Sequence, residues 1–507
     1  MDGLSRKIYL ELAAPTKEDA ASSQERILRA LKADYGEVRM PCRILRMLYP
    51  LCEEADWKVT VTLAWDGWSW EITDLEAGDA SASHYGVCAD LGSTTVVLQL
   101  VDCETGRVLA STSSYNRQTA YGADILTRIF YTKDHPEHLE ELRKATVETF
   151  LDAFAELKEK SGIDPESYAS MVVSGNMTMV HFLIGMDPFC IFSAPYAVRA
   201  DHPDFIPASQ LGFPFYGYVY CYPGRANYLG GDIVSGAVAT GIARSEEICV
   251  FLDIGTNGEL VVGNREFLLC GAGAAGPALE GGSVKTGMCA RDGAVQHIRL
   301  DGEAFQADVI GGGKAEGICG SGIVDLIAEL FLHGWVDIRG RFVPEASGKI
   351  GERDGEYAVE YAPSLYFYQC DLDEFLSTKA AAATMVEYMM NLIGLTMQDV
   401  GKFQVAGAFG AYIDKEAAVT IGMYPDLERS RLISAGNTSL KGAYEMLLHK
   451  DCLEQVQDIL SRMEYVQFGE VEDFIHLMGA ARAVPHTDLG RYPTVVEKLR
   501  KNGIHGF

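Results

Sequence analysis

Cys88-Ala89-Asp90-Leu91-Gly92-Ser93-Thr94-Thr95-Val96-Val97 and Phe251-Leu252-Asp253-Ile254-Gly255-Thr256-Asn257-Gly258-Glu259-Leu260 are two versions of one phrase. Each is an apolar run ending in Asp, a tight turn of glycine and small hydroxyl or amide residues, and a second apolar run. Such a turn can aim several backbone N–H groups and a carboxylate at one point, which is what a magnesium-bound polyphosphate requires. A single D-x-G-[ST] is weak, because Asp-Gly turns join strands in many proteins. Two copies between β-branched runs predict an α/β protein with two similar lobes sharing a nucleotide cleft.

The similarity extends outward from the turns. After Asp90 come strands over Val96–Asp102 and Val108–Ser113, joined by Glu104-Thr105-Gly106-Arg107. After Asp253 come Leu260–Val262 and Phe267–Cys270, joined by Gly263-Asn264-Arg265-Glu266. Asp253 follows Asp90 by 163 residues, a plausible length for one lobe. The boundaries expected are 1–80 for a linker and small domain, 85–248 for lobe I and 249–507 for lobe II, with the C-terminal helices free to return to lobe I. In the first segment, alternating strands at Lys7–Leu12 and Lys58–Trp65 accompany two helices, and Asp66-Gly67 turns the chain into Trp68–Ile72. Its tryptophans mark either an interaction face or a hairpin packed on its own helices. Glu76–His84 reads as a linker. Further on, helices are predicted over Gly122–Tyr131, Glu137–Lys160, Ile323–Leu332 and Thr378–Leu395. The strand Ser170–Ser174 runs into Gly175-Asn176 at the start of another helix.

Composition excludes several classes. The 507 residues are 48% hydrophobic with mean hydropathy near zero, as in a globular protein with sizeable cores. No run approaches the roughly 18 apolar residues of a membrane helix, and Met1–Lys7 leads into no signal-peptide core, so a cytoplasmic location is expected. A net charge of −28 disfavours nucleic acid and anionic membranes as partners. Among the twelve cysteines the nearest pair is Cys42 and Cys52, so no C-x-x-C signals a cluster or zinc site. Core packing is the expected role of Cys88, Cys249 and Cys270.

The candidate chemistry is phosphate and metal binding. Magnesium keeps several waters and takes one or two carboxylates, so Asp90 and Asp253 suit it, reaching the ion through water. Gly92, Ser93, Thr94 and Thr95 would wrap one side of the phosphates, and Gly255, Thr256, Asn257 and Gly258 the other. Gly407-Ala408-Phe409-Gly410, at the end of a buried strand, could present backbone to an adenine or ribose, or could only let a helix pack closely. Gly320-Ser321-Gly322 at a helix start offers N–H groups to an anion or ribose, or is only a helix start. Glu259 and Glu280, near the second turn, could orient an attacking water or help hold the metal; solvated or capping roles are equally open.

Together, the paired turns and Val405–Gly410 resemble the two phosphate motifs and the adenosine motif of the ASKHA superfamily of acetate and sugar kinases, heat-shock chaperones and actin. More narrowly, Tyr121–Ile129, Ser174–His181, Asp253–Glu259, Ala275-Gly276-Pro277-Ala278-Leu279-Glu280-Gly281 and Gly317–Gly322 resemble the ATP-dependent reductive activators of corrinoid proteins (RACo-like). Ser5–Leu10 is similar to that family's linker. The resemblance, spanning nearly the whole chain, implies a two-lobed actin-like (RNase H-like) ATPase preceded by the family's small middle domain, expected with the linker within 1–80. It implies ATP and Mg2+ as ligands, a role for Gly276, and a corrinoid protein or methyltransferase system as partner. The activity implied is ATP-driven reduction of Co(II) to Co(I). Members commonly dimerise, so a homodimer is one state open to this chain. They typically carry an iron–sulfur domain at one end, whereas here the chain starts at the linker and Thr494–Phe507 holds no cysteine. The expectation is therefore no intrinsic cluster, a separate ferredoxin-like electron donor, and slow ATP hydrolysis, since no poised histidine stands out. Alternatives within the fold are a small-molecule kinase, an activator of a radical dehydratase or reductase, for which Cys319 would be the residue of interest, and a non-catalytic ATP-gated scaffold.

Overall fold

The computed structural model describes residues 2–255, 258–273, 282, 284–468 and 474–505; the side chains of 408, 409 and 411 also lie outside the description. Two compact units result: residues 1–239 with 438–461, and residues 240–437 with 462–507.

The first unit opens with the small α/β module. Strands β1 (Ser5–Glu11), β2 (Val38–Arg39), β3 (Lys58–Trp65) and β4 (Trp70–Ala77) form a sheet in the order β1-β3-β4-β2. The helices Ser23–Tyr35 and Cys42–Glu54 bury Ile27, Leu31, Ile44 and Leu48 against Val59, Val61, Leu63 and Ile72. Trp70 is buried with its ring edge-on to Trp65, while Trp68 at the hairpin tip stands 87% exposed. Ser5 pins the module to the neighbouring sheet, its Oγ lying 2.8 Å from His84 Nε2 and 3.1 Å from Ser170 Oγ.

Next come β5 (Tyr85–Leu91), β6 (Thr95–Asp102), β7 (Val108–Tyr115), β8 (Tyr168–Gly175), β9 (Asp204–Pro207) and β10 (Tyr218–Cys221), in the order β7-β6-β5-β8-β10-β9. β5–β7 form an antiparallel meander, and β8 lies parallel to β5. The helix Pro136–Ser161 closes with Gly162 in the left-handed conformation, the usual glycine stop, and buries Phe150, Phe154 and Leu157. The helix Thr438–Leu448, from late in the chain, packs against β5 and β8.

The second unit repeats the plan. β11 (Ile248–Ile254), β12 (Gly258–Gly263) and β13 (Leu268–Gly273) form its meander. Two three-stranded sheets come after it: β14 (Ala294–Asp301), β15 (Ala304–Val309) and β16 (Gly317–Ile318), then β17 (Ile350–Arg353), β18 (Glu356–Ala362) and β19 (Leu365–Tyr368). With β20 (Val400–Ala406), β21 (Leu432–Gly436) and β22 (Met463–Tyr465), the main sheet reads β21-β20-β11-β12-β13-β22. β20 lies parallel to β11 as β8 does to β5, so the two units share a topological core.

Three expectations need correction. The helix placed at Thr378–Leu395 spans Gln369–Leu392. It starts straight off β19 with Asp371 Oδ2 accepting from the Tyr368 N–H at 3.0 Å, a start that lacks the usual Ser, Thr, Asn or Asp at the N-cap. The linker begins after Ala77, because Glu76 and Ala77 still pair with Thr60 and Val59. The two small sheets were not anticipated; their first hairpins turn at Gly302-Glu303 and Asp354-Gly355.

Within the second unit, Lys379 is fully buried, and its Nζ donates to the carbonyls of Ala481, Ala483 and Pro485 at 2.5, 2.6 and 2.8 Å. Burial lowers its pKa to about 7, while the three carbonyls favour the ammonium. Lys379→Ala strands those carbonyls and should cost about 3 kcal/mol or more in urea unfolding; a cost under about 1 kcal/mol would mean that they find other partners.

Candidate functional site

In the first unit Asp90 stands at the C-terminal end of β5, half-buried, opposite Val97 on β6 and Ser174 on β8. Ser439, at the start of the helix Thr438–Leu448, donates from Oγ to Asp90 Oδ1 at 2.8 Å. The Ser439 hydroxyl also lies 2.9 Å from Ser174 Oγ, which lies 2.7 Å from Ser235 Oγ. Three hydroxyls from three elements thus fix the carboxylate.

The turn after Asp90 is closely constrained. Gly92 has no room for a side chain: a Cβ there would come within 2.4 Å of the Thr95 carbonyl oxygen. Asn116 Nδ2 donates to Gly92 O at 3.0 Å, Arg128 Nη1 to Ser93 O at 2.6 Å, and the Asn116 N–H to Thr94 O at 2.8 Å. Three successive carbonyls are therefore drawn toward Asn116 and Arg128. A trans peptide opposes its C=O and N–H, so the N–H groups of Ser93 and Thr94 face the other way. Thr94 and Thr95 are exposed. An outward row of N–H groups beside a fixed carboxylate suits a phosphate with its metal.

A residue that the sequence reading missed completes this half. Asp232 lies in the first turn of the helix Gly231–Thr240, and Ser235 Oγ donates to its carbonyl at 3.0 Å. Burial, reinforced by the Asp90 carboxylate, raises its pKa to about 7, while its bond from the Ile233 N–H opposes the shift. Gly230 allows the approach, since a Cβ there would meet Asn176 Cα and Met177 N at 2.5 Å. Gly230-Gly231-Asp232 opening a helix 21 residues before Asp253 was the available signal.

In the second unit Asp253 is the penultimate residue of β11 and pairs in register with Glu259 on β12, placing two carboxylates side by side on one face. Glu259 is buried. On the other side Asp253 is in register with Ala406, the last residue of β20. Gly407 comes next at φ +83°, where a Cβ would meet Ile254 O at 2.4 Å and Asp253 Oδ1 at 3.1 Å. The adenosine-like turn and the second Asp turn are therefore adjacent, and only glycine fits at 407. Gly410 lies against Val405, and its carbonyl accepts from Ser434 Oγ at 2.5 Å.

Gly320-Ser321-Gly322 begins the helix Gly320–Leu332, packed on β14. Ser321 Oγ donates to Gln296 O at 3.0 Å, and a Cβ at Gly322 would meet Val295 O at 2.4 Å. This packing against β14 is a role for Ser321 and Gly322 beyond the anion contact and the helix start that the sequence left open. Cys319 is buried beside them with Sγ 3.5 Å from Val295 O. Thr256, Asn257, Gly276 and Glu280 lie outside the described residues, as do the side chains of Ala408 and Phe409. Gly255 and Gly258 are described and flank the second turn.

Comparison with known proteins gives a consistent answer along the chain. Residues 1–82 match the RACo linker region, 85–245 the RACo middle region, and 247–496 the C-terminal domain of RACo, the ASKHA domain. The corrinoid activation enzyme RamQ of Eubacterium limosum is 31% identical over 398 residues, covering 75% of this chain and 67% of RamQ. The [Co(II) methylated amine-specific corrinoid protein] reductase of Methanosarcina barkeri is 23% identical over 422 residues, covering 75% of this chain and 73% of that protein. A solved reductive activator for corrinoid,iron-sulfur protein superposes with a TM-score of 0.88 at 33% identity, covering 97% of this chain and 81% of that one. The α/β fold with its two meander sheets is the ASKHA fold, preceded by a smaller domain, and the chain belongs to the RACo family of reductive activators of corrinoid proteins.

Proposed function

We propose that this chain is an ATP-driven reductive activator that returns a partner's corrinoid from Co(II) to Co(I). The observation that carries the reading is the family likeness over nearly the whole chain, to a solved activator at a TM-score of 0.88. The ASKHA fold suggests ATP and Mg2+ as ligands. The residues present fit them: an outward row of N–H groups after Asp90, and two Asp-Glu or Asp-Asp carboxylate pairs that a divalent cation would relieve.

In this reading Asp90 and Asp253 serve the magnesium ion through water. Gly92–Thr95 hold one side of the phosphates, Gly255–Gly258 the other, and Gly407–Gly410 the nucleoside. When bound, ATP supplies the free energy of phosphate hydrolysis. Asp232, poised near neutrality and held beside Asp90, is the candidate base that takes the proton of the attacking water; a group with a pKa near the working pH is well matched to that task. Reduction of Co(II) is uphill from an ordinary donor. It proceeds if the nucleotide-bound chain favours a partner state that is more easily reduced, and only such differential affinity can shift the equilibrium. Electrons come from a separate ferredoxin-like protein. Buried thiols such as Cys88 and Cys221, raised by burial to about 12, are poor thiolate ligands for a cluster.

Three outcomes test this. Mixed with a Co(II) corrinoid protein, a reductant and MgATP, the chain should form Co(I), seen by absorbance, and should hydrolyse ATP in step. Asp90→Asn and Asp253→Asn should each slow both by about 100-fold. Co(I) formation without ATP, phosphate transfer to a small metabolite, or stoichiometric iron and acid-labile sulfide in the purified protein would each contradict the scheme. For Asp232, the folded pKa lies above the unfolded value of about 3.9. Between roughly pH 4 and 7 the folded state holds the extra proton, so wild-type stability falls as pH rises. Asp232→Asn should therefore leave the melting temperature unchanged near pH 4 and raise it progressively toward pH 7.5, while slowing hydrolysis by about 100-fold or more. A pH-independent difference would remove the raised carboxyl from the account.

A further inference from the structure

Arg128, on the helix Ile125–Thr132, is fully buried directly behind the first phosphate-type turn. Its Nε donates to Gly122 O at 2.8 Å, and its Nη1 to Ser93 O at 2.6 Å and to Gln118 Oε1 at 3.3 Å. Its Nη2 is buried without a hydrogen-bond partner. No carboxylate forms an ion pair with it among the described residues. Asp124, the acidic group whose field reaches it, spends both oxygens capping the helix, accepting from the Thr127 N–H and Thr127 Oγ1. Burial lowers the guanidinium pKa to about 10, which still leaves it charged at neutral pH.

A buried charge without a paired carboxylate is costly, and holding a carbonyl does not require one. Asn116 shows this on the same turn, restraining Gly92 O with a neutral amide. What a cation adds is a field across one thin layer of backbone, on the side from which the Ser93 and Thr94 N–H groups face away. An anion docked on those N–H groups would supply the missing counter-charge at short range and low dielectric, where the interaction is strong.

We propose that Arg128 is the positioning residue of the first phosphate turn, fixing the Ser93 carbonyl inward from behind and relying on the ligand's phosphates for its counter-charge. This rests on the nucleotide reading above. Arg128 has no contact with the ligand in this scheme; it acts through the Ser93 peptide. The ligands that depend on it are those with a di- or triphosphate, whereas a nucleoside lacking phosphate is indifferent to it.

Calorimetric titration of the full chain with MgATP, with magnesium tripolyphosphate and with adenosine tests this, on the wild type, Arg128→Met and Arg128→Lys. Melting temperature and circular dichroism report on folding. Arg128→Met should weaken MgATP and tripolyphosphate by about tenfold or more and leave adenosine within about twofold. Arg128→Lys, which keeps the charge but not the fork, should fall between, and carries the same comparison if the Met variant does not fold. MgATP affinity within about twofold of wild type in a folded variant overturns the proposal. So does an equal loss for adenosine and MgATP, the mark of a purely structural residue. A wild-type chain that binds neither MgATP nor tripolyphosphate would instead overturn the nucleotide reading itself.

Discussion

Carboxylates lie beside one another in both units, Asp232 near Asp90 and Glu259 across from Asp253, and holding them there is the constraint around which the rest is built. In the first unit burial, reinforced by the field of Asp90, keeps Asp232 protonated up to about pH 7. In the second, Asp253 and Glu259 face each other on neighbouring antiparallel strands, where like charges oppose stability. A fold relieves such crowding with a proton or a cation. Under the proposed function, magnesium and ATP supply the cation and the anion that these groups are arranged to receive.

The scaffold around each pair is rigid where the chemistry would need it to be. Asp90 is held by a hydroxyl chain drawn from β8, the helix Gly231–Thr240 and the helix Thr438–Leu448. Glycines at 92, 230 and 407 remove the side chains that would keep backbone from backbone. Fixed dipoles and charges of this kind need no rearrangement when a charged ligand arrives, which is how preorganised sites gain their strength. The same logic places Arg128 behind the turn, where it orders the peptide that a phosphate would meet.

The twin turns, the meanders and the module's hairpin were legible in the sequence because their determinants are local. Alternating apolar runs, an Asp and a glycine within ten residues specify each. The helix Pro136–Ser161 was legible, as Glu137–Lys160, from its long pattern. What was not legible depends on distant partners. Ser439 is 349 residues from the carboxylate it holds, and nothing beside it in the chain marks it. Asp232 becomes a candidate base only through burial and the Asp90 field. Gly320-Ser321-Gly322 illustrates the converse: a local glycine pattern left an anion contact and a helix start open, and only the fold shows Ser321 and Gly322 against β14.

The proposed function has Asp90 and Asp253 each serve a magnesium–triphosphate. Its most direct test is a crystal structure of the chain grown with Mg2+ and a non-hydrolysable ATP analogue. The account predicts magnesium reached through water by each carboxylate, with phosphate oxygens on the N–H groups of Ser93 and Thr94. An analogue bound with only one of the two aspartates near its metal, or held away from both turns, would contradict it.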